Sequence, residues 1–153
     1  MMIKAAYFPT VVYAKDVNLD NRLFEKEVID WSNKDKGVTR TNLKGWHSQT
    51  NMQEIPVFKP LVDELYKMMG EIFVEEWLDR EPMMGNMWAN INPPGGMNRP
   101  HLHPNSHFSG VYYIKLHRIL VNLFLMNQDQ EHTWLCLQEN KVNLHHIYGE
   151  KFI

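Results

Sequence analysis

Apolar side chains in residues 1–82 recur in patterns that predict one strand followed by two helices. Residues 5–13 are rich in β-branched and aromatic types and contain Pro9, which is typical of an edge strand. A helix capped by Asn18 or Asp20 and ended by residues 33–37 is predicted from apolar positions at helical spacing: Leu19, Leu23, Val28 and Trp31. A longer helix over residues 57–78, expected to support a sheet, is predicted from one stripe: Leu61, Leu65, Met68, Met69, Ile72, Phe73 and Trp77.

Residues 37–55, between the two helices, are mostly polar and turn-forming. This composition predicts a long connection with one buried aromatic anchor within Gly45-Trp46-His47-Ser48. A histidine in such a loop is expected at the protein surface, and the alternative for His47 is a place at the mouth of a pocket.

The pattern changes to period two after Pro82, which predicts a strand. One face of this strand carries Met87, Ala89 and Ile91, and the other carries Trp88, Asn90 and Asn92. Residues 93–96 form a tight connection of two prolines and two glycines, and residues 107–115 predict a second strand. Two histidines lie between the two strands.

Composition and charge indicate one soluble globular domain over residues 1–153. The chain is 44% hydrophobic and 22% charged, and its formal net charge is −2, so neither nucleic acid nor an anionic membrane is favoured as a partner. The single cysteine, Cys136, excludes an internal disulfide, and no apolar run approaches the roughly 18 residues of a membrane span. We therefore expect a cytoplasmic protein with three parts: residues 1–82, 83–115 and an atypical tail, 116–153.

His101 and His103 are candidate metal ligands. On an extended backbone, side chains two residues apart point to the same side, so one metal ion can reach both imidazoles while Leu102 points away into the core. Neutral imidazole suits iron, zinc, copper and nickel, and non-haem iron oxygenases use an open site of three ligands. From spacing alone, two surface histidines in a proline-flanked turn are the favoured interpretation, and the metal pair depends on the residues around it.

The residues around the histidines carry a family resemblance. Trp88-Ala89-Asn90, His101-Leu102-His103-Pro104 and Ser109-Gly110-Val111-Tyr112-Tyr113 resemble the W-A-N, H-x-H-P and S-G-V-Y-Y motifs of one branch of the 2-oxoglutarate and Fe(II)-dependent oxygenase superfamily. This resemblance implies an α+β protein with a mainly β core. Its fold would be a double-stranded β-helix of the jelly-roll or cupin-like type, with two N-terminal supporting helices, either complete or cut short at the C-terminus.

The resemblance also implies cofactors and site residues. Fe(II) is expected on His101 and His103, in the positions of the superfamily's H-x-D pair, with 2-oxoglutarate as co-substrate. Asn90 and Asn98 are candidates to orient a ligand or a carboxylate, and Ser109 and Tyr113 are candidates to hydrogen-bond 2-oxoglutarate. For these four, a bond to nearby backbone is the alternative role. His107 is a weaker candidate ligand, since it lies four residues beyond His103.

The tail departs from the family. A distal histidine ligand and an arginine that pairs with 2-oxoglutarate are expected there, but the last arginine is Arg118. If the reading frame is shifted one base earlier, the codons of Met126 and Asn127 must encode a glutamate, and the codons of residues 128–131 can encode Pro-Arg-Pro-Arg. We predict a one-base insertion or deletion near residues 115–118. If the tail is in frame, the candidate third ligands are His132, His145 and His146.

Two other functions compete with an oxygenase. Gly95 is separated by five residues from the histidine pair, which fits the start of a cupin metal motif, but no glutamate follows among residues 105–108. A catalytically inactive β-sandwich that serves as an interaction module is the third possibility, and the missing arginine favours it. The expected partners are a small-molecule or protein side-chain substrate and further copies of the chain, paired through exposed sheet edges.

Overall fold

The computed structural model describes residues 11–115 and 133–138, and the chain divides into two compact units. One unit joins residues 1–17 to residues 102–153, and the other is the continuous stretch 18–101. The single-domain organisation of residues 1–153 stays a prediction.

The first helix of the 18–101 unit, α1, spans Asn21–Lys34 and begins where its cap predicts. Asp20 is the N-cap, and its carboxylate accepts a hydrogen bond from the Arg22 backbone N–H at 3.2 Å. Phe24 and Val28 form the buried face, whereas Leu23 is 54% exposed. The predicted stripe was therefore wrong at Leu23, because side chains one residue apart on a helix point about 100° apart.

The second helix, α2, spans Lys59–Glu75 and follows two 3-10 turns, Met52–Glu54 and Pro56–Phe58. Its buried residues are Leu61, Met68 and Ile72. Trp77 lies beyond the helix with φ 56° and is 92% exposed, so its place in the predicted stripe was wrong. Phe58 is fully buried and lies 5.5 Å from the Phe24 ring, which packs the 3-10 turn against α1. The helices and turns thus supply most of the buried apolar side chains of this unit.

Four short strands of the same unit form two antiparallel pairs. The strands are β2 (Asn42–Leu43), β3 (Trp46–His47), β4 (Asn90–Ile91) and β5 (Met97–Asn98). β2 pairs with β5 and β3 pairs with β4. Two residues separate the pairs on one side and five residues, 92–96, on the other. Residues 42–47 therefore run along residues 90–98 as one interrupted ladder, in which residues 92–96 loop outward.

The outward loop contains the tight connection that its prolines and glycines predict. The Gly96 N–H donates to the Pro93 carbonyl at 2.7 Å, and Gly95 has φ 77°. Proline and glycine at the two central positions suit a type II turn, in which the second central residue needs a positive φ. The loop thus leaves the ladder and returns to it within a few residues.

The other unit contains β1 (Val12–Asp16), β6 (Phe108–Tyr113) and β7 (Thr133–Gln138). They form a sheet in the order β1-β7-β6, with both pairs parallel. β6 confirms the strand predicted over residues 107–115, and β1 overlaps the edge strand predicted over residues 5–13 at Val12 and Tyr13. The predicted strand's residues before position 11 lie outside the described residues.

The class α+β is confirmed, with short antiparallel strands in the 18–101 unit. A jelly roll pairs its strands antiparallel, whereas β6 and β7 are parallel, so the double-stranded β-helix stays a prediction. Neither helix of the described part of the chain is long and apolar enough to cross a membrane.

Candidate functional site

The inner end of the ladder is fixed by Ser48, which is fully buried. The Ala89 N–H donates to Ser48 Oγ at 2.9 Å, and the Ser48 N–H donates to the Ala89 carbonyl at 3.0 Å. Ser48 Oγ also donates to the Gln49 carbonyl at 2.6 Å. Because this hydroxyl both donates and accepts, it pairs with the buried Ala89 N–H and with the Gln49 carbonyl, and so holds residues 88–90 against β3.

His47 is buried beside these Ser48–Ala89 hydrogen bonds, which we call the Ser48 clamp, and 6% of its surface is exposed. Its ring stacks on Trp88 at a centroid distance of 5.5 Å and an angle of 10°. Nδ1 lies 2.7 Å from the Ser48 carbonyl, and since a carbonyl only accepts, Nδ1 carries a proton. The expected surface position of His47 was therefore wrong, because the flanking turn-forming residues do not reveal that Trp88, distant in sequence, covers the ring.

Trp46 is the predicted aromatic anchor, and it is half-buried. Its Nε1–H donates to the Asp35 carbonyl at 2.9 Å, and its ring meets Trp31 edge-on at 5.7 Å. Gly37 has φ 71°, and a Cβ at this position would lie 2.7 Å from Trp46 Nε1 and would overlap the His47 carbonyl. Glycine is thus required where the chain leaves α1 and passes over the Trp46-His47 strand.

The two candidate asparagines lie on separate strands of the ladder. Asn90 is exposed on β4, where its backbone pairs with His47. Asn98 is half-buried on β5 opposite Asn42, and its Oδ1 is buried without a hydrogen-bond partner among the described residues. Buried polar atoms are nearly always paired, so Asn98 Oδ1 is suited to accept a hydrogen bond from a bound group.

His101 follows β5 and is exposed. Its Nδ1 lies 2.8 Å from the Arg99 carbonyl, and the Arg99 N–H donates to the Thr41 carbonyl at 2.9 Å. The carbonyl contact requires a proton on Nδ1, which in the neutral ring leaves the lone pair on Nε2. Metal-binding histidines are typically oriented in this way, by donating their other ring N–H to a carbonyl or carboxylate.

His103 begins a turn in the other unit. The Ser106 N–H donates to the His103 carbonyl at 3.3 Å, and Asn105 has φ 64°. His103 itself is half-buried, and the predicted proline-containing turn is confirmed. Leu102 is 56% exposed, so the prediction that it points into the core was wrong. Residues 101–103 are not part of a strand, and the alternation of a strand therefore does not apply to them.

Ser109 and Tyr113 both lie on β6. Ser109 is 7% exposed, and its Oγ is buried without a hydrogen-bond partner in the described part of the chain. Tyr113 is half-buried at the last position of the strand. A buried hydroxyl can donate to a carboxylate or accept from another donor, so Ser109 can serve a ligand of either kind.

No group of three histidine, cysteine, aspartate or glutamate side chains that could hold a metal ion occurs within residues 11–115 and 133–138. The predicted site residues divide between the two units: Asn90, Asn98 and His101 belong to one, and His103, Ser109 and Tyr113 to the other. His107 is exposed. The candidate third ligands His132, His145 and His146 lie outside the described residues.

Sequence reasoning missed the roles of Ser48 and Trp88. Trp88 was assigned to a polar face with Asn90 and Asn92, but it is half-buried and packs on His47. A tryptophan in each of the segments 45–48 and 88–90 does not reveal this contact, because Trp88 stacks on His47 whereas Trp46 meets Trp31. Which two strands pair cannot be read from segments of two residues.

Comparison with protein families gives a match to part of the chain. A family model described as "Putative 2OG-Fe(II) oxygenase" matches residues 86–148, about two fifths of the chain. The match begins before β4 and includes the asparagines, His101, His103 and β6. It also continues past residues 115–118, where the change of frame is predicted, so the frameshift stays a prediction that the coding DNA decides. Neither the curated proteins nor the solved structures give a match.

Proposed function

Since the match over residues 86–148 supports membership of the 2OG-Fe(II) oxygenase superfamily, we propose that this chain is a 2-oxoglutarate and Fe(II)-dependent dioxygenase. Its reaction would be hydroxylation of a C–H bond in a small molecule or a protein side chain. The fold that goes with this function is a double-stranded β-helix, and the residues proposed to hold the metal are His101 and His103. We also propose a cytoplasmic location, since one cysteine suits a reducing compartment.

The structural observation that carries this proposal is the hydrogen bonding and exposure of the His101 ring. Its Nδ1–H is used by the Arg99 carbonyl, and its side chain is exposed, so Nε2 is the nitrogen whose lone pair would bind Fe(II). The pairing of Arg99 with Thr41 holds that carbonyl at the end of the ladder. His101 is thus oriented by backbone that other strands fix.

Each unit contains one buried side-chain oxygen without a partner in the described part of the chain, and each oxygen taken alone suits a polar ligand. Ser109 Oγ can donate to a carboxylate of 2-oxoglutarate. Asn98 Oδ1 only accepts, so it is suited to a water or a substrate hydroxyl, and the Asn98 Nδ2 is the group that would bind a carboxylate. When bound, Fe(II) supplies the activation of oxygen that couples decarboxylation of 2-oxoglutarate to hydroxylation.

Two parts of the superfamily's site are not found among these residues. The chain has no arginine after Arg118 to pair with 2-oxoglutarate, and a third ligand is proposed only from His132, His145 and His146. An inactive interaction module is therefore the second candidate function, and the missing arginine is the observation that favours it.

A turnover assay separates the two candidates. We expect the purified chain to convert 2-oxoglutarate to succinate faster with Fe(II) than without it. His101→Ala should lower that rate by about 100-fold or more, since loss of even an outer-shell partner of a metal ligand costs about 10- to 100-fold. Leu102→Ala is the matched control, since Leu102 is an exposed neighbour in the same segment, and we expect no more than about a twofold change.

Metal binding provides a second readout that does not depend on turnover. We expect the chain to bind one Fe(II) under anaerobic conditions and His101→Ala to bind it about 10-fold more weakly or worse. Metal binding without 2-oxoglutarate turnover would support the inactive module, and equal binding by both proteins would refute the proposed ligand.

A further inference from the structure

An exposed strip runs along α2 and into the residues that follow it; we call it the α2 strip. Tyr66, Gly70 and Val74 are spaced by four residues and so share one helix face. Val74 is 80% exposed, and Trp77 and Met83, beyond the helix, are 92% and 90% exposed. The Met84 N–H donates to the Tyr66 hydroxyl at 3.2 Å, which returns the chain beside the helix. Exposed large apolar side chains thus occur both on this helix face and in the residues that follow α2.

Trp77 occupies a position whose backbone conformation favours glycine. The Leu78 N–H donates to the Phe73 carbonyl at 2.9 Å and the Trp77 N–H to the Val74 carbonyl at 3.3 Å, with Trp77 at φ 56°. This is a Schellman helix end, whose left-handed residue is usually glycine because a side chain there is strained. The chain instead has a large aromatic residue that is exposed to water.

Gly70 is a glycine at a helix position where another residue would be more favourable. It lies inside α2, where alanine favours the helix more than glycine does. A Cβ built on Gly70 meets no atom within 4 Å, so packing within the chain does not require glycine. A glycine with open space above it permits the backbone of another molecule to approach closely.

The charges around the α2 strip are strongly one-sided. Residues 63–81 contain seven carboxylates and two basic side chains, a formal charge of −5 in a chain whose total is −2. The remaining residues therefore carry a formal charge of +3. A second copy docked strip to strip would place −5 against −5, and an anionic membrane would be repelled in the same way.

We propose that the α2 strip binds a basic amphipathic helix of a partner protein. The apolar face of the partner lies on Val74, Trp77 and Met83, and its backbone comes closest at Gly70. Its lysine and arginine side chains pair with the surrounding carboxylates. The α2 strip shares no residue with the histidine motif, and the proposal does not depend on oxygenase activity.

The test uses the full chain and a labelled synthetic helix of leucine and lysine with one apolar face. We expect this peptide to bind, its affinity to fall as salt is raised, and a matched peptide with glutamate in place of lysine not to bind. Trp77→Gly should weaken binding by about 10-fold or more while raising Tm, because glycine suits the left-handed position. Gly70→Ala should also raise Tm and weaken binding.

Leu23→Ala, which removes an exposed apolar side chain from α1, is the matched control and should leave binding within about twofold. Equal peptide binding by wild type and Trp77→Gly would overturn the proposal, as would binding of the glutamate peptide. Self-association in sedimentation that Trp77→Gly abolishes would assign the strip to a second copy instead. Acrylamide quenching that differs little between the free wild type and Trp77→Phe would show Trp77 already covered, and would also overturn it.

Discussion

Two histidines of the 18–101 unit make the same backbone contact in opposite surroundings. His47 and His101 each donate Nδ1–H to a main-chain carbonyl, at 2.7 and 2.8 Å, which leaves Nε2 as the acceptor of the neutral ring. His47 is buried under Trp88, whereas His101 is exposed. The hydrogen bond therefore sets the tautomer of both rings. Exposure allows Nε2 of His101 to reach a metal ion, whereas burial keeps Nε2 of His47 inside the protein.

The different surroundings of His47 and His101 follow from their positions in the ladder. His47 lies within β3, between the Gly37 crossing and the Ser48 clamp, so atoms of several segments pack around it. His101 comes three residues after the paired Asn98, where the ladder has ended. We therefore expect substitutions at His47 to change stability and substitutions at His101 to change metal binding.

The largest expected effect on stability is at His47 itself. His47→Ala removes a buried ring and its stacking partner's contacts, and we expect a loss of about 2–4 kcal/mol in the free energy of unfolding. His101→Ala should change the same quantity by less than about 0.5 kcal/mol, since its side chain is exposed. Urea denaturation followed by circular dichroism measures both, and equal losses would remove the distinction between the two histidines.

Gly37→Ala tests the packing around His47 at the point where the chain passes over β3. The new methyl group would overlap the His47 carbonyl, and alanine is strained at φ 71°. We expect a loss of about 2–3 kcal/mol in urea denaturation. Gly95 also has a positive φ but open space around a Cβ, so Gly95→Ala is the control and should cost only about 1–2 kcal/mol.

Ser48→Ala should have a smaller effect. It removes the acceptor of the Ala89 N–H and leaves that buried donor unpaired, for an expected loss of about 1–3 kcal/mol. Ser48→Thr keeps the hydroxyl and separates the lost bond from the lost volume. If Ser48→Ala were as stable as wild type, a water would have to replace the hydroxyl, and the clamp would not be needed to hold residues 88–90.

The smallest effect is expected on α1, away from both histidines in sequence. Lys26 and Asp30 form an exposed pair at 2.5 Å, and the hydrogen bond from Lys26 lowers the pKa of the Asp30 carboxyl and raises that of Lys26. A lowered carboxyl pKa adds stability above the ordinary value of 3.8, and this is lost as the pH falls through the folded-state value. Asp30→Asn should leave Tm unchanged within error near neutral pH, because exposed pairs contribute little. A resolvable fall in Tm would contradict this.

The helices could be predicted from the sequence because their signals are local. Asp20 marks the start of α1, and the stripe that includes Leu61, Met68 and Ile72 identifies α2. The end of α2 could not be placed, since an exposed tryptophan in a left-handed conformation extends an apolar stripe without belonging to it. β6 was equally predictable, from a run of β-branched and aromatic residues.

The ladder could not be predicted, because strands of two residues show no periodicity and their partners lie 43 to 56 residues away in sequence. The burial of His47 depends on this pairing and was missed with it. The orientation of His101 was not predictable either, since it rests on the Arg99 carbonyl and not on a side-chain motif. The motif identified the candidate residues, whereas long-range pairing fixed their environment.

The loop formed by residues 92–96 offers a place to modify the protein. Its residues lie between two paired segments, and no pairing of β2 with β5 or of β3 with β4 involves them. Extra residues inserted after Pro94 should lengthen the loop without shifting either register, and doubling the length of a flexible loop costs only about 0.6 kcal/mol. A short epitope or a fluorescent label can therefore be grafted at this point, a few residues before the histidine motif, to report on events there.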